Sequence, residues 1–181
     1  MNRHVLRLVF LVLPLLAIAH THTAPPLPRL LSSIAEADFS HCSLSQLPAK
    51  VRQHLKGEIE IAPNMVQYGF ELCKRDINRD GQRELLVQTP FGGQGGANYE
   101  IFLTSGTELI WLGTISGFAP IGLREYKNGF YQLSTHAKTG VASTFLNLFA
   151  FNGSRYCLER SDEYYQERFV RTASYDLNDC K

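Results

Sequence analysis

Asp76, Asn78, Asp80 and Glu84 stand at positions one, three, five and nine of the segment Asp76-Ile-Asn-Arg-Asp-Gly-Gln-Arg-Glu84. Three carboxylates and a carboxamide at that spacing converge when the chain coils into a tight loop, and they repel one another unless a hard cation holds them. Gly81 occupies position six, where such a loop turns sharply and favours a residue without a Cβ. The backbone carbonyl of Gln82, at position seven, adds a further oxygen. Calcium suits an oxygen set of this kind, because it accepts about six to eight oxygens in a flexible shell. The bland alternative is a solvated Asx-rich hairpin turn, which Asn, Asp and Gly build without metal. The spacing is more than a turn requires, so Asp76, Asn78, Asp80, Gln82 and Glu84 are taken as the ligands of a Ca2+ site.

This loop is not an EF-hand. Its twelfth position is Val87 rather than a bidentate Glu, and Leu85-Leu-Val-Gln reads as a strand rather than an exiting helix. A calcium loop that feeds a strand resembles those of FG-GAP and VCBS-type β-propeller repeats.

Other reactive side chains assemble less well. Ser134 and His136 could be written with an acid as a triad, yet no nucleophile elbow frames them. Asp80 and Glu84 are better used as metal ligands than as glycosidase acids. Asp162-Glu163 with Tyr164-Tyr165 could offer a sugar platform, but such tyrosines commonly serve as half-buried strand residues. An enzyme is therefore not the expected class. His20 and His22 could chelate copper if they headed the mature chain; a plain leader is the simpler account.

The elements that must position the loop begin with a targeting signal. Arg3 and Arg7 precede an apolar run from Leu8 to Ala19, and Ala17-Ile18-Ala19 matches the cleavage pattern of a secretory signal peptide over 1–19. The run is short for a bilayer span, and no cysteine follows it, so no membrane anchor is expected. A periplasmic protein is expected, with secretion also possible. Without Arg3 and Arg7 the formal charge becomes −1, which offers nothing to nucleic acid. Cys42, Cys73, Cys157 and Cys180 all lie in the exported part, and an even number there implies two disulfides. Of the three pairings, Cys42–Cys73 with Cys157–Cys180 is preferred, since each would fasten a terminal segment to the core.

Residues 20–29 hold three prolines and read as an extended leader, followed by a single domain over 30–181. Helices are expected over 30–39 and 45–55, the second with Leu44, Leu47, Val51 and Leu55 on one face and Pro48 in its first turn. Strand patterns follow at 58–61, 66–72, 84–89, 99–103 and 108–112. Asn128-Gly129 and Asn152-Gly153 are hairpin turns between strands at 123–126 and 130–133, and at 144–151 and 155–159. The fold class expected is mainly β: an antiparallel meander of hairpins, propeller-like or barrel-like, with a short N-terminal helical segment.

The glycine-rich link Pro90-Phe-Gly-Gly-Gln-Gly-Gly-Ala-Asn-Tyr99 lacks the lysine and following helix of a phosphate loop. Together with the calcium loop, the Tyr-led strand and the later hairpins, it resembles small periplasmic proteins related to lysozyme inhibitors. Among these are calcium-binding immunity proteins against secreted peptidoglycan hydrolases. The resemblance spans about residues 57–160 and rests on short motifs. It implies an inhibitory loop of the pattern S-G-x-x-Y at Gly95-Gly96-Ala97-Asn98-Tyr99, with Gly95 in place of the serine. A second loop pattern, Y-x-x-x-K, is not reproduced; Lys138 is its spatial stand-in. The implied function is a calcium-binding inhibitor that plugs the cleft of a lysozyme-like hydrolase through Gly95, Gly96, Asn98, Tyr99 and Lys138. The competing reading is a calcium-dependent carbohydrate- or protein-binding module of propeller type, without inhibitory activity.

Overall fold

A computed structural model describes residues 24–93, 95–178 and Cys180. The expected signal peptide over 1–19 and the leader histidines His20 and His22 lie outside the described residues. The fold is mainly β, with 57% of the chain in strands. Two three-residue strands, β1 (Ser32–Ile34) and β2 (Ser40–Cys42), precede the short helices α1 (Ala49–His54) and α2 (Lys56–Ile61). Eight strands follow: β3 (Phe70–Arg75), β4 (Glu84–Gly93), β5 (Gly96–Ser105), β6 (Glu108–Lys127), β7 (Phe130–Thr139), β8 (Ser143–Phe151), β9 (Tyr156–Tyr165) and β10 (Arg168–Ser174). From β2 to β10 each pairs antiparallel with its sequence neighbour, which is the expected meander. Among the described residues no ladder joins β10 to β2, so the sheet is open rather than closed as a barrel.

The twenty-residue β6 is the spine of the fold. Its first half, through Gly117, pairs with β5, and its second half, from Phe118, pairs with β7. On the flank that β5 leaves free, Ile121, Gly122 and Leu123 pair with β1. The two halves of the sheet pack over a core that includes Ile77, Leu86, Ile101, Ile115, Ile121, Leu133, Phe149 and Tyr156. A second core lies on the other face of β2–β5, where Leu47, Val51 and Leu55 cover Phe70, Leu85, Val87 and Phe102. The expected apolar face of the helix near 45–55 is thus observed, with Pro48 as the residue before α1.

Three expectations about elements are corrected. Residues 30–39 are not helical: β1 is a strand because the free flank of β6 supplies backbone partners, and a 3-10 turn follows, with the Ala35 N–H donating to Asp38 at 2.7 Å. Residues 58–61 are not a strand but belong to α2, whose Ile59 packs on the helix-side core while Ile61 stays exposed. Only the second part of 66–72 is strand, since Pro63–Tyr68 forms a 3-10 turn.

The described part of the leader, from Ala24, forms no helix or strand and is tied to the sheet. Arg124 donates to the Pro28 carbonyl at 2.8 Å, and Arg160 donates to the carbonyls of Pro25 and Pro26. Arg160 also grips the fully buried Asp162 through two hydrogen bonds, at 2.9 and 2.7 Å, and Thr172 adds a third at 2.7 Å. Prolines suit this strap, because they lack an N–H to leave unsatisfied and keep their carbonyls free to accept.

Cysteines divide into one bridge and two thiols. Cys157–Cys180 is formed, with its Cα atoms 5.9 Å apart, and ties the C-terminal segment to β9. Cys42 and Cys73 are free and buried, which corrects the expected second bridge. Cys42, on β2, belongs to the helix-side core and Cys73, on β3, to the core between the sheet halves, so the two thiols lie on opposite faces of the sheet. Burial pushes both thiols up in pKa, which keeps them protonated and unreactive.

Candidate functional site

The loop between β3 and β4 folds on its own side chains. Asp76 accepts from the N–H groups of Arg79 at 2.6 Å and Gly81 at 3.2 Å. The Asn78 side-chain Oδ1 accepts from Asp80 N–H at 3.1 Å, and the Asp80 carboxylate accepts from Gln82 N–H at 2.7 Å and from the Asn78 side-chain amide at 3.0 Å. Arg79 and Gly81 take positive φ, 64° and 84°, which turns the chain back on itself. Glu84, the first residue of β4, is completely buried and accepts the Ile77 N–H at 2.8 Å through Oε2. Its Oε1 is equally buried and has no hydrogen-bond partner among the described residues.

That orphaned oxygen tests whether the loop fits a cation. Burial, before the repulsion from Asp80 and Asp76, raises the Glu84 pKa, while the N–H groups of Ile77 and Glu84 work against the rise. A buried carboxylate with one oxygen unpaired and two more carboxylates nearby lacks a positive charge. Among the described residues no three His, Cys, Asp or Glu side chains form a ready-made metal group. The loop carboxylates instead face their own N–H groups. Each of those oxygens keeps a further lone pair, so the hydrogen bonds and a cation are compatible. The residues therefore fit calcium in chemistry.

The loop is held from outside by two tyrosines. The Arg79 guanidinium lies 4.7 Å from the Tyr126 ring and 4.6 Å from the Tyr131 ring, and its Nε donates to the Tyr131 hydroxyl at 2.7 Å. The Tyr126 hydroxyl donates to the Asn78 carbonyl at 2.6 Å, and the Tyr131 N–H donates to the Ile77 carbonyl at 2.9 Å. Sequence reasoning missed this clamp. Its only trace was a pair of tyrosines flanking Asn128-Gly129.

The residues implied for partner binding separate into two groups. Gly95 lies at the β4–β5 tip, and a Cβ there would sit 3.4 Å from the Lys138 carbonyl, an ordinary contact. Lys138 itself is exposed on β7, so the two are brought together from different hairpins. Beyond Lys138, Val141 is fully exposed in the β7–β8 turn. Asn98 is half-buried on β5. Tyr99 is buried away from any contact surface, while Gly96 is half-buried with no room for a side chain. Gly96 has φ 129°, and a Cβ on it would strike the Gly117 carbonyl. Tyr99 is 2% exposed within the core, with its ring 5.7 Å from that of Phe39.

A second polar centre was not read from the sequence. Glu100, 2% exposed on β5, accepts from Trp111 Nε1 at 2.7 Å and from Thr114 at 2.9 and 3.0 Å. His54 of α1 approaches it at 3.1 Å. These partners satisfy a buried carboxylate and fasten α1 to the sheet. Ser134 and His136 form no triad: the Ser134 hydroxyl accepts from Arg124 at 2.8 Å, and His136 is exposed. No protein-family model, curated protein or solved structure matches this chain.

Proposed function

We propose that the chain is an exported, calcium-stabilised protein that binds a lysozyme-like peptidoglycan hydrolase and occludes its active-site cleft. Residues 1–19 direct export to the periplasm in this reading. Calcium is held by Asp76, Asn78, Asp80, the Gln82 carbonyl and Glu84, and it stiffens the root of β4. The meander then serves as a propeller-like scaffold, with its calcium loop placed as in the repeats it resembles.

The observation that supports the reading is the closeness of Gly95 to the backbone of Lys138, whose carbonyl lies 3.4 Å from where a Cβ on Gly95 would stand. It gathers a narrow glycine tip and an exposed ammonium on one edge. A muramidase cleft carries two carboxylates, to which an ammonium and free N–H groups are complementary. A rigid tip also loses less entropy on docking. Gly96 and Tyr99 act in this scheme from within, by setting the backbone that carries Gly95 and Asn98.

Clearing of peptidoglycan suspensions by a panel of lysozyme-like muramidases tests the proposal. The mature protein should inhibit at least one member, and Lys138→Glu should weaken that inhibition by about tenfold or more. Gly95→Trp should abolish it without unfolding the chain, since a side chain is accommodated there. Lys74→Glu, exposed on β3, is the charge control. The proposal fails if both variants inhibit as wild type does, or if no panel member is bound.

A further inference from the structure

The helix-side face of the sheet carries a recess of about 380 Å3 between α2, the 3-10 turn Pro63–Tyr68 and the strands β4 and β5. Ala62, Met65 and Phe91 supply apolar wall, while Glu58 and Asn98 supply the polar groups. We propose that this recess binds a small amphipathic cation, an alkylammonium or alkylguanidinium. Its head meets Glu58 and Asn98, and its stem lies on Met65 and Phe91.

Three independent features support it. The Glu58 carboxyl group has no salt-bridge or hydrogen-bond partner among the described residues, although Lys56 and Glu60 on the same helix pair with each other at 3.7 Å. Burial first, and then Glu100, raise the Glu58 pKa, against an opposing contribution from His54. The end of the recess is thus short of positive charge. Directly across from Asn98, on the same face of the ladder, stands Thr89. Thr89 is 3% exposed, and its hydroxyl has no hydrogen-bond partner among the described residues. Cβ atoms of directly paired residues lie about 4.5–5.5 Å apart, so a ligand engaging Asn98 comes within reach of that hydroxyl. The apolar wall then sets the ligand class, because a fully hydrated inorganic cation gains nothing from Met65 and Phe91.

The recess is distinct from the Gly95–Lys138 edge and does not depend on the hydrolase reading. An ammonium or guanidinium could arrive as a free amine or as the side chain of a protein partner. The chemistry recognised is the same, and the test separates the two.

Trp111 is the single tryptophan of the chain and donates to Glu100, two residues along β5 from Asn98. Its indole N–H resonance is therefore a single, local reporter. Titration with n-butylguanidinium and n-pentylammonium should shift it saturably. The neutral 1-pentanol should bind about tenfold more weakly or worse, and Glu58→Gln should weaken both cations by a similar factor. Glu60→Gln, one turn position away and exposed, should leave binding unchanged. A peptide carrying one internal arginine, if it binds more tightly than butylguanidinium, identifies a protein side chain as the occupant; weaker binding identifies a free amine. The inference is overturned if neither cation gives a saturable shift. It is equally overturned if pentanol matches the cations, or if Glu60→Gln weakens binding as much as Glu58→Gln. Glu58 is solvent-accessible at the mouth of the recess, and circular dichroism verifies that its variant is folded.

Discussion

Glu84 decides more about this protein than any other side chain, because it is a fully buried carboxyl group with one oxygen satisfied and the other without a partner among the described residues. Replacing it with Gln keeps an acceptor for the Ile77 N–H and removes the charge. In chelator, Glu84→Gln should be more stable than wild type by about 1–3 kcal/mol, the scale of an unsatisfied buried group. In calcium the order should reverse, since only wild type gains from the ion. Urea melts of both proteins, with and without calcium, check this; an equal calcium response would remove Glu84 from the ligand set. The pH dependence has a definite sign. The folded pKa is raised, so in chelator this group's contribution is fully present below the unfolded value of about 4.3 and is lost as pH rises through the folded one. Chelated wild type should therefore lose stability over that window relative to the Gln variant. The two free cysteines give a simpler residue-scale test. Ellman's reagent should find no accessible thiol in the native protein and two thiols per chain after unfolding without reductant. Two disulfides, and thus no thiol released, would restore the Cys42–Cys73 bridge.

At the scale of elements, the strap and its arginine carry the clearest prediction. Asp162 is fully buried, and Arg160 is its charged partner, itself only 13% exposed at the side chain. Arg160→Met leaves that carboxylate without its counter-charge and frees the leader, at an expected cost of about 3–5 kcal/mol. Adding Asp162→Leu should recover most of it, because the two changes act on one pair. A cost under about 0.5 kcal/mol for the single variant would show that the pair and strap are idle. How much of this architecture was legible follows from the range of the signals. The Asn128-Gly129 and Asn152-Gly153 turns and the alternating strands around them are local, and they appear where expected. The turn between β9 and β10 escaped notice because Gln166 and Glu167 adopt positive φ without being glycine or asparagine. β1 was misread because its strand character is lent by the free flank of β6, some ninety residues away. The oxygen-bearing residues of the β3–β4 loop were legible as one contiguous motif. The tyrosine clamp around Arg79 and the His54–Glu100 contact, 46 residues apart, have no local signature.

For the molecule as a whole, the candidate calcium loop and the disulfide are joined by a short run of hydrogen bonds. Ile77 in the loop accepts from the Tyr131 N–H, and the Tyr131 carbonyl accepts from the Tyr156 hydroxyl at 2.8 Å. Tyr156 is 2% exposed and adjoins Cys157, whose bridge to Cys180 closes a separation of 23 residues. By loop-closure entropy such a bridge contributes about 3 kcal/mol. If the two devices were independent, removing both would cost the sum of the separate losses. The shared tyrosines argue otherwise, since loosening β9 at Cys157 frees Tyr156 and removes a prop from beneath the loop. The double variant Cys157→Ala/Cys180→Ala should therefore show a smaller calcium-induced rise in melting temperature than wild type. Tyr156→Phe, which deletes one hydroxyl and leaves the ring, should reduce that rise with the bridge intact. In a thermodynamic cycle of calcium against bridge, the coupling should exceed about 0.5 kcal/mol. Additivity within that limit, with Tyr156→Phe responding to calcium as wild type does, would mean that loop and bridge stabilise the fold separately.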